Sequence, residues 1–224
     1  AGMGLDWYEG NERANAIFKS AEAVFGGGLK EIMFNGPEEK LKKTDFTQPA
    51  VFTMSCAVYE ALKKNLEGKI SYFAGHSLGE YSALFAAGAF DFETGLKLVS
   101  RRGALMQDAS EKAGGGMAAV LNLDIEKIQL LCEAVKSSGY MTAANINSPG
   151  QIVVSGDIVA IDAGEAAAKE LGAKRYVKLQ VAGAFHSKLM RSAAESLAAE
   201  ISSYHIRDAQ TPVVANFSAN EVTK

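Results

Sequence analysis

The sequence predicts an α/β fold: a body of helices and strands interrupted by a small inserted domain of βαββαβ order. Three observations carry this. A β-rich run at residues 69–74 leads through Gly75-His76-Ser77-Leu78-Gly79 directly into a helical pattern. Residues 116–181 alternate short apolar runs and helical patterns as β-α-β-β-α-β, the split βαβ order of ferredoxin-like domains. The chain then returns to a helix over 187–202 and a late strand at 213–216. The expected division is therefore 1–115 with 182–224 for the body and 116–181 for the insertion.

Composition agrees. The 224 residues are 48% hydrophobic and 22% charged, values of a globular chain rather than a disordered one. Lys and Arg number 23 against 26 Asp and Glu, a net charge of −3, which argues against general nucleic-acid binding because that needs a basic face. The longest apolar run, around residues 83–89, contains Gly88 and falls far short of the roughly 18 residues that cross a bilayer. The two cysteines, Cys56 and Cys132, belong to no metal or disulfide pattern, so no metal site and two reduced thiols are expected. No secretory apolar segment opens the sequence, which sets a cytoplasmic location as the expectation.

In chain order, residues 5–25 read as one helix, ended by Gly26-Gly27-Gly28. No Lys-Ser/Thr follows these glycines, so they read as a turn rather than a phosphate loop. A second helix is expected to start near Pro49, a residue favoured in a first helical turn, and to run to Asn65. Next come the 69–74 strand and a helix over 80–87. A further helix covers 91–109. Projected at 100° per residue, it puts Leu98, Leu105, Ala109, Gly95, Met106 and Val99 on one face with Arg102, and Arg101 opposite with Lys97 and Asp108. Arg102 is thus expected to be largely buried. Gly114-Gly115-Gly116 reads as a hinge. Inside the insertion, strands are expected at 117–123, 141–146, 151–155 and 175–181, and helices at 125–136 and 159–171.

Gly75-x-Ser77-x-Gly79 between strand and helix is the pattern of a nucleophile elbow. Its glycines let backbone pass closely around a sharp turn, the serine hydroxyl projects from the strand end, and the Leu78 amide at a helix N-terminus can donate to a developing oxyanion. The plain alternative is a βα turn in which Ser77 caps the helix. A serine needs a base. Of three histidines, His76 adjoins the serine and seldom could face it, and His205 lies in a polar, exposed stretch. His186, in Gly183-Ala184-Phe185-His186-Ser187, is the base by elimination, or a cap for the next helix. A buried Arg102 calls for an anion, either an internal Asp or Glu or a substrate carboxylate, which its planar fork matches.

Gly75-His76-Ser77-Leu78-Gly79-Glu80-Tyr81-Ser82-Ala83 closely resembles the active-site segment of malonyl-CoA:acyl carrier protein transacylases, of fatty-acid synthesis type. The resemblance continues through Gln48-Pro49-Ala50, Arg102-Gly103, Met106-Gln107, Asn145-Ile146-Asn147-Ser148-Pro149-Gly150-Gln151 and Ala184-Phe185-His186, in the right order over essentially the whole chain. It implies an α/β-hydrolase-like body with a ferredoxin-like subdomain. It implies Ser77 as nucleophile, His186 as general base, Leu78 as an oxyanion donor and Arg102 as the malonyl carboxylate's partner. Phe185 would select malonyl over methylmalonyl, and Gln48, Asn147 and His76 would line the pocket.

The implied reaction is ping-pong acyl transfer from malonyl-CoA to the thiol of acyl carrier protein, by a monomer, with the coenzyme A thioester as substrate and no cofactor. Lys174, Arg175, Lys178, Lys188 and Arg191 form a candidate landing surface for an acidic carrier. The family's Gly-Gln-Gly-x-Gln loop, which supplies a second oxyanion amide, and a downstream glutamine that orients the histidine lie outside these 224 residues. Two other readings stay open. One is an esterase or thioesterase built on the same elbow, with Asp157 or Asp162 as acid partner. The other is a non-catalytic carrier-binding module.

Overall fold

The computed structural model describes residues 2–224. The chain opens with α1 (Leu5–Gly10) and α2 (Glu12–Phe25), where a single helix was expected. The break is at Asn11, whose extended backbone ends α1 and whose Oδ1 accepts from the N–H groups of Arg13 and Ala14 at 3.0 and 3.1 Å. Such a cap is worth about 1 kcal/mol and outweighs simple helical periodicity. Gly26, Gly27 and Gly28 all have positive φ and form a turn, as expected. The chain's own Glu22 carboxylate accepts from the Gly28 and Lys30 amides there.

Two short helices not expected from the sequence follow, α3 (Leu29–Asn35) and α4 (Glu38–Leu41). The long α5 (Thr44–Leu66) starts five residues before Pro49, which lies inside the helix rather than in its first position. A proline that close to the start forfeits only one intrahelical hydrogen bond. The expected strand at 69–74 shortens to β1 (Phe73–Ala74), followed by α6 (Gly79–Ala86) and α7 (Phe92–Ala113).

The next stretch is β2 (Gly116–Leu121), α8 (Ile125–Ala134), β3 (Met141–Ser148), β4 (Gln151–Gly156), α9 (Ile158–Glu170) and β5 (Arg175–Lys178), the expected order. A 3₁₀ turn, Lys188–Met190, leads into α10 (Arg191–Ile201), and β6 (Val213–Val214) and β7 (Glu221–Val222) complete the elements.

The chain divides into two compact units, Ala1–Ala104 with Ala198–Lys224, and Leu105–Leu197. The first holds a three-stranded sheet, β1-β6-β7, in which β1 and β6 run parallel (Phe73 opposite Val213) and β7 is antiparallel. Its core gathers Phe18, Leu29, Met33, Phe52, Leu96 and Val99, each fully buried and each worth roughly 1.5–3 kcal/mol of transfer free energy. Leu78 and Tyr81 pack against the same cluster, so the start of α6 is tethered to the core.

The second unit holds the antiparallel sheet β3-β4-β2-β5. Ala118 and Val120 on β2 and Ile152 and Val154 on β4, spaced by two, pack with Ile128 and Leu131 of α8 and Ile161 of α9. Gly115 is closely packed. A Cβ there would meet the Gly156 carbonyl oxygen at 2.7 Å and the Ala184 Cβ at 2.8 Å. Cys56 and Cys132 are free thiols, and burial pushes the Cys56 thiol well up.

Candidate active site

Residues 75–79 form the sharp turn between β1 and α6. Ser77 has φ 53°, the left-handed region that a side chain seldom enters. The turn closes with the Gly79 N–H on the His76 carbonyl (2.9 Å) and the Glu80 N–H on the Ser77 carbonyl (3.2 Å). Gly75 has no room for a side chain, since a Cβ would run into the Gly79 carbonyl group. Both features are those of an elbow that lifts one hydroxyl out of the backbone path. None of the described residues accepts from the Leu78 N–H, which stands at the α6 N-terminus where positive potential gathers.

Arg102 reaches this turn from α7. Its Nη2 donates to Ser77 Oγ at 3.0 Å and its Nη1 donates to Gln48 Oε1. Gln48 is buried at 6% exposure on α5. The helices approach closely because residue 103 is glycine: a Cβ there would stand 2.7 Å from the Thr44 carbonyl oxygen. Arg102 is largely buried, as expected, while its neighbour Arg101 is exposed and paired with Glu200 at 2.7 Å. Burial draws the Arg102 guanidinium below its ordinary value. Its cation also lies 5.8 Å from the Tyr81 ring centroid. Among the described residues it forms no ion pair with Asp or Glu, so the internal-pair alternative is not what the fold shows.

Ser77, Leu78, His76, Arg102 and Gln48 belong to the first unit, and His186, Phe185 and Asn147 to the second. His186 shares one unusual property with Ser77: its φ is 57°, and these two are among four non-glycine residues of positive φ in the described chain. The turn that holds it is pinned by Ser187 Oγ donating to the Ala184 carbonyl (2.6 Å) and by the Phe185 N–H on the Gly183 carbonyl (3.1 Å). His186 is exposed, and Phe185 is half-buried against Ala109, Met190 and Ala193. Asn147 is exposed at the end of β3, and His76 and His205 are exposed as well.

Asp157 and Asp162 both have structural work. Asp157 Oδ2 accepts from the Tyr140 N–H at 2.8 Å, and Asp162 pairs with Lys178 at 2.7 Å. Sequence reasoning missed Asn216. Its Oδ1 accepts from the Ser77 N–H and its Nδ2 donates to the Gly75 carbonyl, each at 2.6 Å. A polar residue at the end of a strand at 213–216, facing an elbow, was the only available signal.

The acyl transferase domain family matches residues 1–224. The chain is 44% identical over 223 residues to a protein named malonyl CoA-acyl carrier protein transacylase from Staphylococcus aureus, covering 99% of this chain and 71% of the relative. The solved malonyl CoA-acyl carrier protein transacylase of Clostridium perfringens is 40% identical with a TM-score of 0.92, covering 99% of this chain and 69% of that one. A solved malonyl-transacylase in complex with its type II PKS acyl-carrier protein is 37% identical with a TM-score of 0.94, covering 100% and 72%. The chain belongs to the acyl transferase domain family.

Proposed function

We propose that this acyltransferase moves a malonyl group from coenzyme A to the phosphopantetheine thiol of acyl carrier protein through a malonyl ester on Ser77. The observation that carries the reading is the Arg102 guanidinium at 3.0 Å from a serine hydroxyl held on a strained strand–helix turn. One side of a nucleophile thus has a two-pronged cation whose partners are neutral, Gln48 and Ser77. A dicarboxylic acyl group suits it, because the fork can leave Ser77 Oγ for the free carboxylate once the oxygen is esterified.

In this reading His186 takes the Ser77 proton as Oγ attacks the thioester carbonyl. The Leu78 N–H receives the negative charge on the carbonyl oxygen. His186 then returns the proton to the departing coenzyme A thiolate. The carrier thiol repeats the sequence in reverse, losing its proton to His186 and leaving as the malonyl thioester. Phe185, Gln48, Asn147 and His76 shape the acyl pocket. The donor thioester and the acceptor thiol supply all the chemistry, so no cofactor is required. All the named residues lie on one chain, so a monomer suffices. The donor, malonyl-CoA, is an intracellular metabolite, which favours the cytoplasm.

The same reading assigns the first unit to an α/β-hydrolase-like body and the four-stranded unit to a ferredoxin-like subdomain, supported by its β3-β4-β2-β5 order. Hydrolysis is the less favoured reading, since Asp157 and Asp162 are both engaged elsewhere. Coenzyme A release from malonyl-CoA separates the two. Transfer gives one equivalent without carrier and steady turnover with it. Continued release without carrier supports a hydrolase and contradicts transfer.

A further inference from the structure

The parallel pairing of β1 with β6 ends at Ala74 opposite Val214, yet the backbone hydrogen bonding continues by another means. Continued register would set His76 opposite residue 216. In a parallel ladder, the residue opposite position 76 would donate to the carbonyl of residue 75 and accept from the N–H of residue 77. The Asn216 carboxamide does both, with Nδ2 on the Gly75 carbonyl and Oδ1 on the Ser77 N–H, each at 2.6 Å. A side chain replaces a rung where the left-handed turn at Ser77 (φ 53°) makes a backbone rung impossible. The Asn216 backbone N–H is meanwhile turned to Glu80 Oε1 at 3.2 Å, on the first turn of α6.

We propose that Asn216 is a positioning residue for acyl transfer. It acts through the backbone on either side of Ser77. By fixing the Gly75 carbonyl and the Ser77 N–H, it fixes the direction in which the Ser77 Cα–Cβ bond leaves the turn. By occupying the Ser77 N–H, it leaves the Leu78 N–H as the amide of this turn open to the developing oxyanion. The inference rests on Ser77 being the acylated residue.

The test uses the whole chain and two variants. Asn216→Ala removes both hydrogen bonds, and kcat for malonyl transfer should fall between about tenfold and a hundredfold with KM for malonyl-CoA little changed, the pattern of a misplaced nucleophile. Asn216→Asp keeps the shape. Ionised, it sets an oxygen against the Gly75 carbonyl, and protonated it restores one donor and one acceptor. The neighbouring titratable groups are Glu80 on α6, His76 in the turn, Glu221 on β7 beside Val214, and Arg102 on α7 at Ser77 Oγ. Dividing each variant's rate by that of the unaltered protein at the same pH cancels their titration.

The Asn216→Asp ratio should rise as pH falls, and the Asn216→Ala ratio should stay flat. A structural prop alone would lower the fraction of folded protein and leave kcat per folded molecule unchanged at every pH. The proposal is overturned if Asn216→Ala keeps kcat within about twofold, or if the Asn216→Asp ratio does not change with pH. Should the alanine variant fail to fold, the isosteric aspartate variant decides. Peptide mapping of the unaltered protein after malonyl-CoA treatment separates the two levels: no ester on Ser77 overturns the function reading itself, whereas an ester there with unresponsive Asn216 variants overturns this inference alone.

Discussion

Arg102 Nη2 donates to Ser77 Oγ over 3.0 Å, joining the middle of α7 to the turn before α6. Gly103 permits the close approach of α7 to the start of α5, and Gln48 on α5 holds the other prong of the guanidinium. The cation is therefore aimed rather than merely nearby. It is largely buried and faces neutral acceptors, an arrangement costly for stability alone and suited to a carboxylate that arrives with the substrate.

Arg102→Ala should weaken transfer of malonyl far more than transfer of acetyl, which has no free carboxylate. A charge-assisted, two-pronged contact is worth about 1.5–3 kcal/mol, so malonyl transfer should drop roughly tenfold to a hundredfold relative to acetyl. Paired kcat/KM measurements check this, and equal losses would contradict the carboxylate role.

The preference for malonyl over acetyl should be flat from about pH 6 to 9, because arginine stays protonated throughout that range. Burial favours the neutral form of Arg102 and so lowers its proton affinity, but from a starting point far above neutrality. Loss of charge would therefore appear only on the strongly alkaline side. The ratio of the two kcat/KM values across pH reads this directly. A ratio that falls near neutrality would mean that a histidine rather than Arg102 holds the carboxylate.

Ser77 pays for its position in backbone strain. Replacing it by glycine should give a more stable protein than replacing it by alanine, by about 1–2 kcal/mol, because only glycine enters the left-handed region without strain. Denaturant unfolding of the two variants is the check. Equal stabilities would show that the turn relaxes and is not held.

Gly75→Ala should be among the most damaging single changes. Its Cβ would meet backbone at Gly79, which cannot rotate aside as a side chain can. Overpacking of this kind costs typically 1–3 kcal/mol, and here it also moves Ser77. Activity should fall by more than the loss of folded protein accounts for, measured as kcat per folded molecule by circular dichroism.

Much of this was legible in the sequence because it is local. The elbow rests on glycines with fixed spacing, and the order of β2 to β5 follows from runs of period two and 3.6. The opposite fates of Arg101 and Arg102 follow from helical projection. The misses have non-local or competing causes. Asn11 ends a helix through side-chain capping that periodicity does not register. Pro49 is tolerated inside α5 because the helix begins earlier than a proline rule suggests. β1 keeps only the two residues that pair with β6, a tertiary contact that composition does not register, and Asn216 acts 139 positions from Ser77 in a contact no spacing rule anticipates.

The most direct measurement is a peptide map of the protein after brief exposure to malonyl-CoA, alongside its Ser77→Ala variant. The account expects one malonyl ester on the peptide holding Gly75-His76-Ser77-Leu78-Gly79, removed by acyl carrier protein and absent from the variant. An ester on another residue, or an equal adduct in Ser77→Ala, would contradict it.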